Sequence, residues 1–267
     1  MGFPKSTSDV ALQWTMEVFN GLRWFPNRNV PCEPGEAGGF FVSAQNFPFS
    51  AYLKPTKLDG RPRAAYEKIV SDLAYKIGVL VPPVLLYKRR DAPRGEEINT
   101  CVSLVSFPVI VPWRVLEEIK AFDHLDEVKE ALGRYVGIVA LDTYVGNDED
   151  RTNLKNIVYG SESEKETDLI SLDFSNALNY EGKWNDNRSG AACFPKMPER
   201  IVDAAKLNRR IVDATVTNIE NLEECFINHI VNRIPDEFLD SAEKQVILNG
   251  LMVRRALVRR ILADHLA

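Results

Sequence analysis

The sequence predicts an α+β fold, a β-rich N-terminal third followed by a mainly helical remainder. Three observations predict it. Two short runs, Phe40-Phe41-Val42-Ser43-Ala44-Gln45 and Ser50-Ala51-Tyr52-Leu53-Lys54, flank the turn signal Asn46-Phe47-Pro48 and read as a hairpin. Over 64–77, Tyr66, Ile69, Val70, Leu73, Ala74 and Ile77 recur at spacings of three and four, the pattern of a helix with one buried face. Beyond Trp113 the pattern changes from extended to helical.

The elements follow in order. Residues 9–25 read as a short amphipathic helix carrying Leu12, Met16 and Phe19, broken by Pro26, Pro31 and Pro34. The hairpin comes next, its second strand ending in Lys54 before Pro55. Gly78 supplies a stop for the 64–77 helix. Residues 79–87 and 100–111 read as extended chain around a polar loop. Residues 126–145 read as one long helix, apolar nearly all round at 136–141 and so a core helix. A second hairpin pairs 157–159 with 169–172, and the polar stretch 176–200 reads as loop. Ile219, Leu222, Phe226, Ile230 and Val231 form one helical stripe stopped by Pro235. Asp240 with Glu243 three residues later marks the start of a last helix.

Composition narrows the function classes. The 267 residues are 45 % hydrophobic and 27 % charged, with a formal charge of −5, as in a soluble globular protein. A mildly acidic chain argues against a dedicated nucleic-acid binder. No apolar run approaches the ~20 residues that span a bilayer, so no membrane partner is expected. The four cysteines show no C-x-x-C spacing and read as reduced and mostly packed, as in a cytoplasmic protein. Trp14, Trp24, Trp113 and Trp184 read as packing residues. Arg254, Arg255, Arg259 and Arg260 read as a solvated basic face on the last helix.

Three features could carry chemistry. Lys54 ends a strand in apolar surroundings, where its ammonium can reach a bound anion. Glu67 lies one residue past Tyr66, ~100° around the helix, at the edge of the buried stripe. A glutamate there needs a cation, and Lys54 is the long-range candidate. The third feature runs from Gly146 to Asn156 and resumes after the second hairpin at Leu172-Asp173-Phe174-Ser175. Asp150, Asn156 and Asp173 place two carboxylates and an amide in irregular chain, oxygen donors of the kind Mg²⁺ takes in small number. One Asp to orient a hydroxyl nucleophile, with an Asn and a later Asp to hold metal against phosphates, is the arrangement used in phosphoryl transfer.

Asn147-x-x-Asp150-Arg151 with a following Asn, then an aliphatic strand ending in Asp173, resembles the HipA-like kinase family, relatives of the phosphoinositide kinases and more distantly of protein kinases. Tyr52-Leu53-Lys54-Pro55, the helix bearing Glu67, and Ile234-Pro235-Asp236-Glu237-Phe238 extend the resemblance over roughly residues 35–262. It implies a bilobal protein-kinase-like fold, with an N-terminal lobe over 1–109 and a helical C-terminal lobe over 110–267 that carries the catalytic loop. It implies ATP and Mg²⁺ as cofactors, and transfer of the γ-phosphoryl group to Ser or Thr hydroxyls of an unidentified protein, itself included.

By that resemblance Lys54 contacts the α- and β-phosphates and Glu67 orients it. Asp150 is the catalytic base, Arg151 braces the loop, and Asn156 and Asp173 hold Mg²⁺. Ser106, Phe107 and Val109 fall at the hinge that meets adenine, and Gly38 and Gly39 stand in for a phosphate-covering loop. The family pattern has one residue between the Asn and the Asp, whereas Asp148 and Glu149 are two, so Asp148 is a second candidate base. Asn153 is likewise a rival metal ligand. A nucleotide-binding scaffold without catalysis and a lipid or small-molecule kinase are the competing readings.

Overall fold

The computed structural model describes residues 7–27, 39–54, 59–105, 110–147, 150–163, 166–179, 182–184 and 194–267. A five-stranded antiparallel sheet forms the N-terminal lobe, in the order β1-β2-β3-β5-β4. Its strands are β1 (Trp24–Pro26), β2 (Phe40–Ala44), β3 (Ala51–Lys54), β4 (Val84–Lys88) and β5 (Asn99–Leu104). The expected hairpin is β2–β3, with Phe40 opposite Leu53.

Strand alternation then assigns the two faces. Leu53, Val102 and Leu85 stand in register and pack with Val10 and Trp14 of helix α1 (Thr7–Met16). Lys54, Cys101 and Leu86 stand in the adjacent row, on the face toward helix α2 (Arg63–Ile77). The lobe therefore holds the two helices expected of it. The first ends at Met16 rather than Phe25, because Trp24–Pro26 pairs with Val42–Ala44 as an edge strand. Helix α2 buries the whole predicted stripe, and Gly78 ends it at φ 81°, a left-handed geometry that glycine adopts without steric cost.

The rest of the chain is helical around a small antiparallel sheet, β6 (Ile110–Pro112), β7 (Ile157–Ser163) and β8 (Glu166–Ser171). Helices α3 (Trp113–Glu118) and α4 (Ala121–His124) lead into α5 (Asp126–Tyr135) and α6 (Gly137–Val145). The single helix expected over 126–145 is thus two. At the junction the Val139 N–H bonds to the Val136 carbonyl three residues back, which tightens the turn. Gly137 lies close to the helix over Arg209–Glu220, where an added Cβ would stand 3.0 Å from Thr215 Oγ1.

Helices α7 (Glu199–Leu207), α8 (Arg209–Glu220), α9 (Glu224–Asn232) and α10 (Ser241–His265) complete the lobe. The stripe expected from Ile219 to Val231 is likewise split, with Ile219 on α8 and Phe226, Ile230 and Val231 on α9. Asp240 starts α10 as expected, its side chain accepting the Glu243 N–H at 2.8 Å. No helix among the described residues is long and apolar enough to cross a membrane.

One basic residue departs from the solvated-face expectation. Arg254 is 2 % exposed and donates to the carbonyls of Thr143 and Tyr144, at the C-terminal end of α6. It satisfies acceptors that a helix end leaves open, and its cation suits that end of the dipole. Arg255 donates to the Leu222 carbonyl, and Arg259 stays at the surface with Glu220. All four tryptophans are buried, as expected of packing residues. Cys101 is buried, whereas Cys225 is exposed and departs from the packed reading.

Trp184 packs on Gly250 so closely that a Cβ there would stand 2.2 Å from its ring. Gly250→Ala is therefore expected to cost about 1–3 kcal/mol by overpacking, read as a lower thermal midpoint.

Candidate active site

Lys54 leaves the end of β3 on the α2 face, because residues of one strand alternate sides. Its Nζ lies 2.6 Å from Glu67 Oε1. It also donates to the Leu172 carbonyl and lies 4.0 Å from Asp173 Oδ1. The Phe174 N–H donates to the same Glu67 oxygen at 3.1 Å. Three distant segments, β3, α2 and the chain after β8, thus meet around one ammonium.

Two carboxylates face that single cation. Burial opposes the charge on Lys54, but Glu67 and then Asp173 hold its ammonium well above the ordinary lysine value. Burial pushes the Glu67 carboxyl up to about 8, against the pull of Lys54. Burial also works against the Asp173 carboxylate. Lys54, with hydrogen bonds at Glu67 and Ser175, nevertheless holds it well below the usual carboxylate range. The Asp173 side chain is 32 % exposed against 3 % for Glu67, so Asp173 is the one open to solvent and Glu67 the one held inside.

A second cluster supports the loop before β7. Asp142 of α6 accepts from Asn147 Nδ2 at 2.9 Å through one oxygen and from Arg151 Nε at 2.9 Å through the other. Arg151 then donates to the Asp173 carbonyl at 2.7 Å and lies over the Phe174 ring at 4.6 Å. Asp142, Asn147 and Arg151 are fully buried. Arg151 therefore ties the loop to the backbone of Asp173. Sequence reasoning missed Asp142; the available signal was a lone carboxylate inside an otherwise apolar helix.

Asp150 opens a 3₁₀ turn, Asp150–Thr152, directly before Arg151. A second turn, Leu154–Asn156, leads into β7. The Asn156 carbonyl accepts the Leu172 N–H at 2.9 Å, which sets Asn156 beside the residue preceding Asp173. The Asn153 side chain accepts the Lys155 N–H at 3.2 Å and caps its own turn. Asn156 and Asp173 are hard oxygen donors brought to neighbouring positions, a set that suits Mg²⁺ completing its shell with water and phosphate oxygens. Among the described residues no three or more His, Cys, Asp or Glu gather as a metal cage.

Gly39 is buried against Tyr52, where a Cβ would stand 2.3 Å from the phenol oxygen, so packing accounts for this glycine. Gly38, the hinge residues Ser106, Phe107 and Val109, and the alternative base Asp148 lie outside the described residues. A groove of about 420 Å³ opens beside the two turns, lined by Thr152, Leu154, Met197 and Pro198 with Glu117 at its side.

No protein-family model matches the sequence, and no curated protein does. Among solved structures, the chain is similar to the Helicobacter pylori proinflammatory kinase CtkA. The TM-score is 0.65 at 14 % identity, over 93 % of this chain and 98 % of that one. A structure of WaaP in complex with acyl carrier protein aligns over 90 % of each chain at a TM-score of 0.40 and 11 % identity, a likeness too slight to bear on the fold. None of these comparisons assigns the chain to the HipA-like family. What the first likeness establishes, together with the sheet and helices described above, is a kinase-like fold with a β-rich N-terminal lobe and a helical C-terminal region.

Proposed function

We propose that the chain is a phosphotransferase, moving the γ-phosphoryl group of Mg²⁺-bound ATP to a serine or threonine hydroxyl of a protein. The observation that carries this reading is the Lys54 ammonium, held at once by Glu67 of α2 and by the backbone and carboxylate of Leu172-Asp173. A buried carboxylate that fixes a lysine beside a more exposed carboxylate makes a preorganised seat for polyphosphate and a divalent ion. In this reading Lys54 binds the α- and β-phosphates, and Glu67 keeps its ammonium in place. Asp173 and Asn156 hold Mg²⁺, which neutralises charge on the phosphates when bound; the capping role of Asn153 favours Asn156 over it.

Asp150 accepts the proton of the acceptor hydroxyl, and Arg151 keeps the loop in register through Asp142 and the Asp173 carbonyl. The acceptor segment approaches along the groove at Thr152 and Leu154. Little covalent work falls to the protein, since positioning and charge neutralisation supply most of the rate.

The test is γ-phosphoryl transfer from labelled ATP with Mg²⁺, to the chain itself and to candidate proteins. Lys54→Ala is expected to lower kcat/KM for ATP by about 100-fold or more, the scale of losing one preorganised charge. Unchanged kinetics would remove Lys54 from the site. Asp150→Ala against Asp148→Ala identifies the base, and loss in the Asp148 variant alone would shift the loop assignment by two residues. Nucleotide binding without transfer to any protein, lipid or small alcohol would instead support a scaffold.

A further inference from the structure

Glu243 sits in the first turn of α10, far along the chain from every residue assigned above. Its carboxylate gathers three elements. Oε1 accepts the Tyr66 O–H at 2.5 Å, and Asn179 Nδ2 donates to Oε1 at 3.0 Å and to Oε2 at 2.9 Å. Tyr66 is 2 % exposed and directly precedes Glu67 on α2. Burial, reinforced by the bond to Glu243, pushes its phenol well above the ordinary value, so it remains a donor.

Asn179 lies in the segment that follows Asp173, and its own oxygen accepts the Trp184 N–H at 2.7 Å. Trp184 in turn rests on Gly250 of α10 and beside Gly146, where the loop toward Asp150 begins. The backbone of Glu243 is fixed by Asp240. The C-terminal half of α2 is anchored separately, by Asp72 to Arg233 at 2.5 Å and by the Ile77 carbonyl to Asn218 at 2.9 Å. The Tyr66–Glu243 bond acts instead on the turn that carries Glu67.

We propose that Glu243 is a positioning residue: it ties the Glu67 turn of α2 to the segment after Asp173, so that Glu67 meets Lys54 and the Phe174 N–H together. Its consequence for activity rests on the phosphotransfer reading, whereas the coupling is a property of the free chain.

Hydrogen exchange on the full, unliganded chain tests that coupling. Glu243→Ala is expected to speed exchange by about tenfold at the Phe174 amide and in the first turns of α2, leaving the rest of α10 and the five-stranded sheet unchanged. Glu243→Gln, whose carbonyl oxygen can take the place of Oε1 for Tyr66 while its NH2 replaces the Oε2 that accepts from Asn179, is expected to fall between the wild type and Glu243→Ala, and exchange as fast as in Glu243→Ala would overturn the proposal. Unchanged exchange at Phe174 and α2 would overturn the proposal, and so would a uniform acceleration across the chain.

In the transfer assay, Glu243→Ala is expected to lower kcat about tenfold in the wild-type background and less than about twofold in Glu67→Ala, because residues acting through one another are not additive. Losses that multiply would overturn it. A wild-type chain that transfers no phosphoryl group defeats the phosphotransfer reading, while the exchange result still decides the role of Glu243.

Discussion

Asp173→Asn is expected to remove Mg²⁺-dependent transfer almost completely, by at least about 100-fold in kcat/KM, while the protein stays folded. The carboxamide keeps the size of the side chain and an oxygen to accept the Ser175 N–H, which now bonds at 3.0 Å. What it loses is the charge beside Lys54, and with it a strong oxygen donor for a divalent ion. Because the Asp173 carboxyl is held below its usual range, its charge favours the fold at neutral pH, and a modest loss of stability is expected, limited because Glu67 remains to pair with Lys54. Labelled-ATP transfer and thermal unfolding on the same preparation check both halves. Full turnover in a folded Asp173→Asn chain would take Asp173 out of the mechanism.

Asp142→Ala is expected to give the largest loss of stability. Asp142 and Arg151 are both fully buried, 2.9 Å apart, and Asn147 depends on the same carboxylate. Removing one partner leaves a guanidinium in the interior facing an empty site, which costs about 3–5 kcal/mol, on the order of 10 °C in a chain of this size. The double variant Asp142→Ala with Arg151→Met is expected to recover part of that loss, since no unpaired charge remains buried. A double variant no more stable than the single one would show that packing, rather than charge, dominates at Asp142. The single variant is also expected to lose transfer activity, because Arg151 loses its anchor while still bonded to the Asp173 carbonyl.

Much of the N-terminal lobe was legible because its signals are local. Two short runs around the Asn46-Phe47-Pro48 turn gave β2–β3, spacings of three and four gave α2, and the angle between Tyr66 and Glu67 pointed that glutamate toward Lys54. The splits at Val136 and after Glu220 were not legible. Apolar residues stand on both sides of Val136, and α6 lies close to α8 there, at Gly137; after Glu220 the stripe keeps its spacing across the break, with Leu222 buried between exposed Asn221 and Glu223. The support of the site was equally hidden. Asp142, Asn147 and Arg151 meet only after the chain reverses at Gly146, whose φ of 68° sets that reversal. Arg254 read as surface because a basic run resembles a solvated face, and only the carbonyls ending α6 explain its burial. Glu243 read as a helix-start residue, and its backbone does serve there, while its side chain faces α2.

Cys101 stands opposite Lys54 on β5 and is 1 % exposed. Burial, with Glu67 nearby, pushes its thiol well above the ordinary cysteine value, so almost none is thiolate while the strands stay paired. An alkylating reagent meets this sulfur only when the sheet opens at β5 or parts from α2. With Cys32, Cys193 and the exposed Cys225 replaced, the slow labelling of Cys101 becomes a chemical stopwatch for breathing of the strand paired with the one that carries Lys54.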